Sequence, residues 1–352
     1  MMQARPLRGL AVSQLGFGGA SLGNLYVETP DAEARASVDA AWDGGVRYFD
    51  TAPHYGLGLS ERRLGAALAG RPRADYVLST KVGRLLVPNP APTGSDLEAG
   101  GFAVPDDLVR RFDFSRDGVL RSLEASLDRL GVARVDIVYV HDPDEHMDQA
   151  IAEAIPALAE LRDQGVVGAV GAGMNQWQAL RRMVREADLD VVMLAGRWTL
   201  LDRSGAPLLA ACAERGVAVV AAAPYNSGLL ARDWPDPGGH FNYGRAPEEV
   251  LDRARSLAGI CRRHGASLPA AALQFPLRHP AVTAVVAGMR TADEVNAALR
   301  LLAEQLPEAA WAELTERLAP VGVRRHRGIP AVLAARRIRS GKIKDFLSNG
   351  RW

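Results

Sequence analysis

The sequence predicts a closed parallel (β/α)8 barrel, the TIM-barrel architecture. Three observations carry this expectation. Short apolar runs alternate with amphipathic helical stretches almost to the end of the chain, as parallel strands joined by crossover helices do. The strand-then-helix units number eight, over about 250 to 300 residues, the usual size of such a barrel. Four of the apolar runs stop at or near a polar residue, Asp50, Lys81, His141 and Asn175. In these barrels the chemistry sits at the C-terminal strand ends. An open doubly wound sheet ranks second. It asks for a G-x-G-x-x-G turn after its first strand, which Gly16, Gly18, Gly19 and Gly23 do not spell.

The elements follow in order. Leu15 to Gly19 is a short first strand. Asp31 to Asp43 is a helix, with Ala34, Val38, Ala41 and Trp42 at helical spacing and Thr29-Pro30-Asp31 as its start. Tyr48-Phe49-Asp50 ends the second strand after the Gly44-Gly45 break, and Ala52-Pro53-His54-Tyr55-Gly56 leaves it as a loop. A helix runs to Leu68 with Ser60 as its expected cap. The third strand ends at Lys81. Ser115 to Leu130 is a helix with Val119, Leu120, Leu123, Leu127 and Leu130 on one stripe. The fourth strand ends at His141, and Asp148 to Asp163 is helical. The fifth strand ends near Gly173, before the helix Gln176 to Arg185. Val191 to Leu194 and Val217 to Ala223 are strands six and seven, with a helix from Ala206 to Arg215 between them. Glu248 to His264 is the next helix, Ala284 to Ala287 the eighth strand, and Thr291 to Leu302 the last helix of the repeat.

Two connections are too long for turns, Val82 to Phe114 and Gly228 to Pro247. Loops of that length in a compact domain are functional lids or disordered. Lids are expected here, because both leave the predicted active rim and the second carries Trp234, Phe241 and Tyr243. Residues 1–319 are expected to form the barrel domain and 320–352 a basic C-terminal extension. That tail has nine Lys and Arg against one acid, Asp345. Like charges repel and keep a segment open, so a solvated tail is expected. A subunit contact, a flap over the pocket and polyanion binding are the sharper readings.

Composition narrows the class. The chain has 352 residues, 48% hydrophobic and 24% charged, enough for one large core. A net charge of +1 gives no electrostatic case for a nucleic-acid or membrane partner. The cysteines, Cys212 and Cys261, form neither a disulfide framework nor a metal spacing. No apolar run approaches the roughly 20 residues that span a bilayer, and the N-terminus lacks a signal-peptide core. A cytoplasmic enzyme with a small-molecule substrate, and no metal site, is the expectation.

The residues gathered at the rim define a task. A free tyrosine loses its proton only near pH 10. An ammonium beside it favours the phenolate. Lys81 can supply that charge to Tyr55, with Asp50 as counter-ion. A neutral His141 can direct an N–H at a substrate oxygen. Together these make a proton donor and acceptor aimed at a carbonyl or alcohol oxygen. They supply neither a strong nucleophile nor a metal cage. The matching chemistry is hydride transfer with a nicotinamide. Singly, each residue has an ordinary explanation: a turn-forming Asp, a packing Tyr, a solvated Lys, a core His. Three successive strands ending in Asp, Lys and His weigh against that.

The sequence resembles the aldo-keto reductases. The resemblance is carried by Gly44 to Gly56 with Ser60-Glu61, by Ser79-Thr80-Lys81-Val82-Gly83, and by Asp136-Ile137-Val138-Tyr139-Val140-His141-Asp142. It runs from about Leu7 to Leu302. It implies a barrel fold, an Asp, Tyr, Lys, His tetrad carried onto Asp50, Tyr55, Lys81 and His141, and NAD or NADP bound without a Rossmann domain. The finer pattern is similar to the branch of aldose 1-dehydrogenases acting on L-fucose and D-threo-aldoses, together with pyridoxal 4-dehydrogenase. Its pointers are His54, His141-Asp142-Pro143-Asp144, Gly171 to Trp177, and Ala221 to Leu230. The implied reaction oxidises an anomeric hydroxyl to a lactone. Pyridoxal oxidation and general aldehyde or ketone reduction are alternatives. A non-catalytic nucleotide-sensing subunit on the same fold is the reading from another class.

On the cofactor side the resemblance implies contacts from Asn175, from Pro224, Ser227, Gly228 and Leu229 around the pyrophosphate, and from Gly288 and Arg290 on the adenosine side. Met174, Ala195 and Ala222 depart from the family pattern, and Trp198 is a candidate to fill the space of the missing stacking tyrosine. Glu294 stands where many members place an arginine for the 2′-phosphate. A carboxylate there repels phosphate and accepts from a ribose hydroxyl. This favours NAD, with Arg290 keeping NADP open.

Overall fold

In the computed structural model, which describes residues 2–317, eight parallel strands close into a barrel. They are Leu15–Gly18 (β1), Tyr48–Asp50 (β2), Val77–Val82 (β3), Ile137–His141 (β4), Ala169–Met174 (β5), Val191–Ala195 (β6), Ala218–Ala222 (β7) and Val282–Gly288 (β8). Neighbours in the chain are neighbours in the sheet. The ring closes where β8 lies against β1, with Val285 opposite Leu15.

Side chains alternate between the two faces of a strand. On the inner face β2 carries Tyr48 and Asp50, β3 carries Val77, Ser79 and Lys81, and β4 carries Ile137, Tyr139 and His141. Tyr48, Val77, Ile137 and Tyr139 fill the barrel with Ala169, Val191, Met193, Val220, Ala284 and Val286. The other parity, including Phe49, Leu78, Val138, Val170, Val192 and Val285, packs outward under the helices. Two glycines leave room for the inner rings. A Cβ on Gly16 would stand 2.7 Å from the Tyr48 ring, and one on Gly171 2.8 Å from the Tyr139 ring. The hairpin Ala4–Leu7 with Leu10–Ser13 contributes Leu7 and Val12 to the same cluster.

Register lifts the polar residues to one end. Asp50 is opposite Ser79, Lys81 opposite Tyr139, and His141 opposite Gly173. Asp50, Lys81 and His141 are each at or next to the last position of their strands. The inner faces of β2, β3 and β4 therefore deliver an acid, an ammonium and an imidazole to the C-terminal mouth.

The eight predicted helices form, with local differences. Ser115 caps its helix, its Oγ accepting from the Gly118 N–H at 3.0 Å. Ser60 does not cap. Its helix, Leu59–Leu68, starts one residue earlier behind Gly58, and the Ser60 hydroxyl donates inward to the Gly19 carbonyl at 2.6 Å. The stretch from residue 148 to 163 begins in an α-helical turn, Met147–Gln149, and passes through a π turn, Ala150–Ala154, before the α-helix Ile155–Asp163. Pro156 is the reason: it has no N–H and its ring crowds the preceding turn. Two further helices, Leu268–Gln274 and Glu308–Arg317, were not predicted. The first is buried from Leu268 through Leu273, so it shows no polar-apolar period to read.

Both long connections carry structure on the mouth side of the barrel. The first contains an antiparallel ladder, Arg84–Pro88 with Leu108–Phe112. The second contains a short ladder, His240–Phe241 with Gly244–Arg245, and Asn242 at its tip accepts from Arg197 at 2.7 Å. No helix of the described residues is long and apolar enough to cross a membrane. The basic extension 320–352, and the domain boundary expected before it, lie outside the described residues.

Candidate active site

The centre of the mouth is a buried ion pair. Lys81 Nζ donates to Asp50 Oδ2 at 2.6 Å and to the Thr51 carbonyl at 2.9 Å. Both side chains are almost fully buried. The other Asp50 oxygen accepts from the Ser79 hydroxyl at 2.7 Å. Ser79 also reaches the Tyr48 hydroxyl at 3.2 Å, which in turn lies 3.0 Å from that of Tyr139. This chain of hydroxyls holds the carboxylate from below.

Tyr55 covers the pair from the loop after β2. The Lys81 ammonium lies 4.8 Å from the centre of its ring. The loop is fixed by a backbone contact that needs glycine on both sides. Gly56 has φ +61°, and a Cβ on it would meet the Gly23 carbonyl oxygen at 2.3 Å. A Cβ on Gly23 would meet the Tyr55 backbone at 2.6 Å. His141 stands edge-on to Tyr55, with ring centres 6.0 Å apart at 88°. His54 lies 5.7 Å from His141, and Phe102 closes the group 6.1 Å from Tyr55. Asp50, Tyr55, Lys81 and His141 are thus brought together.

The electrostatics follow from burial. Burial alone would lower the Lys81 ammonium, but Asp50 and Tyr55 outweigh it and hold it above its ordinary value. Burial drives His141 well below the ordinary imidazole value, helped by Arg84, Lys81, His54 and Arg110. His54 is driven the same way by burial, Arg84, Arg110 and Lys81. Both rings are neutral at pH 7. Tyr55 differs from the sequence expectation. Burial raises its phenol above 10, and the Lys81 ammonium opposes this without reversing it.

The long connection after β3 adds residues that sequence reasoning missed. Arg84 donates to Asp142 at 2.5 Å, and Arg110 holds Asp96 through two bonds of 2.6 Å while donating to the His54 carbonyl at 2.9 Å. Neither Arg84–Pro88 nor Leu108–Phe112 alternates polar and apolar residues, so periodicity gave no signal for the ladder.

The expected cofactor residues line one side of the mouth. Asn175 follows β5 and donates to the Ala195 carbonyl at 3.1 Å. After β7, Ala223, Asn226, Ser227 and Gly228 have φ of 55°, 47°, 59° and 86°. Such left-handed turns bring backbone N–H groups to one side, a form that suits phosphate oxygens. Ser227 Oγ accepts from the Tyr243 N–H at 3.2 Å. Pro224 is buried, and Leu229 packs its side chain into the outer core, leaving only its backbone to face a ligand. Gly288 is exposed at the end of β8, where a Cβ would meet nothing within 4 Å. These residues fit a dinucleotide.

Arg290 and Glu294 stand beyond it in unexpected roles. Arg290 donates to Thr29 Oγ1 at 2.5 Å, to the Leu25 carbonyl at 2.8 Å and to the Val27 carbonyl at 3.2 Å. The Glu294 carboxylate accepts from the Arg290 N–H at 2.6 Å, while Thr291 accepts from the Glu294 N–H at 3.1 Å. Thr291 thus caps Ala292–Ala303, and Glu294 reaches back to the N–H just before the cap, a close variant of the capping box. Trp198 packs against Phe275 and His279, with ring centres 5.5 Å and 5.3 Å away, so its contacts give no support to a stacking role. Among the described residues no group of three or more His, Cys, Asp or Glu is placed to hold a metal ion.

Residues 14–319 match the Aldo/keto reductase family. The chain belongs to that family. This aldo-keto reductase is an oxidoreductase, of a family that uses NAD(P)H. It is 50% identical over 317 residues to a D-threo-aldose 1-dehydrogenase of a Pseudomonas species, covering 89% of this chain and 96% of that one. It is 40% identical over 327 residues to pyridoxal 4-dehydrogenase of Microbacterium luteolum, covering 87% and 94%. Among solved structures, the holo form of aldo-keto reductase AKR11C1 from Bacillus halodurans superposes with a TM-score of 0.72 at 27% identity, over 93% of this chain and all of that one.

Proposed function

We propose that this aldo-keto reductase is an aldose 1-dehydrogenase that oxidises the anomeric hydroxyl of a cyclic aldose, of L-fucose or D-threo-aldose type, to a lactone. The observation that carries the reading is the buried Lys81–Asp50 pair beneath Tyr55, with a neutral His141 across from it. The relative half identical to this chain bears the name of that activity.

NAD(P)+ supplies the acceptor for the hydride leaving C1. Asn175, Pro224, Ser227, Gly228, Leu229 and Gly288 are the residues to hold it. The chain's own work is on the proton. Tyr55 takes it from the anomeric oxygen as the C1–H bond breaks, and returns it in the reverse reduction. Lys81 stabilises the phenolate so formed, and Asp50 keeps Lys81 in place. An uncharged His141 offers an N–H to the same oxygen and fixes its angle to the phenol.

NAD is the preferred cofactor in this reading. The Arg290 guanidinium is committed to three acceptors between Leu25 and Thr29, and the nearby Glu294 offers carboxylate acceptors. Neither invites a 2′-phosphate.

The test is absorbance at the reduced-nicotinamide band with aldoses and pyridoxal, each with NAD and with NADP. Turnover of L-fucose or D-arabinose with NAD is the expected result. Turnover of pyridoxal alone would transfer the assignment to the reaction of the 40% identical relative.

A further inference from the structure

We propose that Asp142 and Arg84 form a hydroxyl-recognition pair at the mouth, which makes the site selective for a ring bearing several hydroxyl groups beside its reacting carbon. This rests on the assignment of Tyr55 and His141 to the reacting oxygen.

The pair adjoins that oxygen's site. Asp142 follows His141 directly, and its Oδ2 lies 3.6 Å from His141 Nε2. The same oxygen accepts from Arg84 Nη2 at 2.5 Å. Asp142 keeps 31% of its side chain exposed at the mouth, and Arg84 keeps 12%. Asp142 also holds an unfavourable backbone, with φ at +43°. Aspartate is among the few residues with a Cβ that tolerate that region. It is pinned there by its N–H, which donates to the Gly173 carbonyl at 3.1 Å.

A second observation concerns unmet hydrogen-bonding capacity. Arg84 Nε, Asp144 Oδ1, His54 Nδ1 and His141 Nδ1 are all buried without a partner. Four orphaned polar atoms on neighbouring residues are unusual, because each unmet group costs free energy. The set mixes a cationic donor, carboxylate acceptors and neutral imidazoles. A hydroxyl both donates and accepts. A ring with several hydroxyls can therefore donate to Asp142 and Asp144 and accept from Arg84. A simple aldehyde or a hydroxyl-poor hemiacetal leaves the wall unsatisfied.

The experiment compares two compounds that react at the same kind of carbon. One is L-fucose; the other is tetrahydropyran-2-ol, a cyclic hemiacetal without further hydroxyls. The wild-type protein is expected to favour the aldose in kcat/KM by about 100-fold or more, as a site built to bond hydroxyls rejects analogues lacking them. Asp142→Asn and Arg84→Gln are expected to lower the aldose value about 10- to 100-fold, mainly through KM, and to lower the other value at least tenfold less. The wild-type ratio needs no variant and stands even if a substitution impairs folding. Equal wild-type efficiency with both compounds, or equal losses in the variants, overturns the pair alone. A wild type that oxidises neither compound overturns the assigned function and the pair with it.

Discussion

Lys81 and Asp50 meet at 2.6 Å on adjacent barrel strands, both almost wholly shielded from water. Neither charge is affordable in that position without the other. Removing one partner of a buried pair leaves an uncompensated charge and costs about 3–5 kcal/mol. Asp50→Asn is therefore expected to lower the melting temperature by roughly 6 °C or more, read by calorimetry, and to abolish most activity. A variant with unchanged melting would show that the pair is not buried as described.

Tyr55→Phe separates chemistry from architecture. The ring and its contacts with His141 and Phe102 remain, and only the hydroxyl is lost. Turnover is expected to fall about 100- to 10,000-fold, the usual worth of a placed acid-base group. Cofactor affinity, followed by quenching of tryptophan fluorescence, is expected to stay within about threefold of wild type. Turnover near the wild-type level would remove Tyr55 from the reaction.

Stability is expected to respond to pH through the two buried imidazoles. His54 and His141 are held well below their ordinary value. Between that value, about 6.5, and their folded values the unfolded chain binds more protons than the folded one. Stability from this source is thus present above pH 6.5 and is lost as pH falls below it. Asp142 acts in the other direction. Burial raises it to about 6, so between its ordinary value and 6 the folded chain binds the extra proton. That contribution grows as pH falls from 6 toward 4. Burial raises Glu61 and Asp144 in the same direction. Carboxyls start from ordinary values near 4 and imidazoles from about 6.5, so just below pH 6.5 the imidazoles outweigh them. Chemical denaturation at pH 7.5 and 5.5 is expected to show lower stability at 5.5. Equal or greater stability at 5.5 would mean the imidazoles are hydrated and free to charge.

Much of this arrangement was legible in the sequence for a simple reason. Asp50, Lys81 and His141 each end an apolar run of inner-face parity, so alternation alone carries them to one rim. The eightfold repetition then fixes which end of the barrel they share. Arg84, Phe102 and Arg110 were not legible, because a hairpin within a Pro- and Gly-rich connection brings them to Tyr55, and that pairing is made by tertiary packing. Glu294 is a different case. The pattern Thr291-x-x-Glu294 is the local signature of a capping box, yet position relative to the family suggested a ribose contact. The structure has the carboxylate on a backbone N–H.

That local role makes the cofactor preference testable at Arg290. Its guanidinium joins the end of β8 to the segment Leu25–Thr29 through Thr29 Oγ1 and two carbonyls. Burial lowers its pKa, with Glu294 and Glu33 opposing. A cation spent on three neutral acceptors works as a tie between the two ends of the barrel seam. Its loss should loosen the segment without regard to the nucleotide's second phosphate. Arg290→Ala is accordingly expected to raise KM for NAD and NADP by a similar factor, about three- to tenfold by the worth of hydrogen bonds to a charged group, and to lower the melting temperature by a few degrees. Initial rates with both cofactors at saturating aldose measure this directly. A rise in KM confined to NADP would instead place Arg290 on the 2′-phosphate and reverse the assignment to NAD.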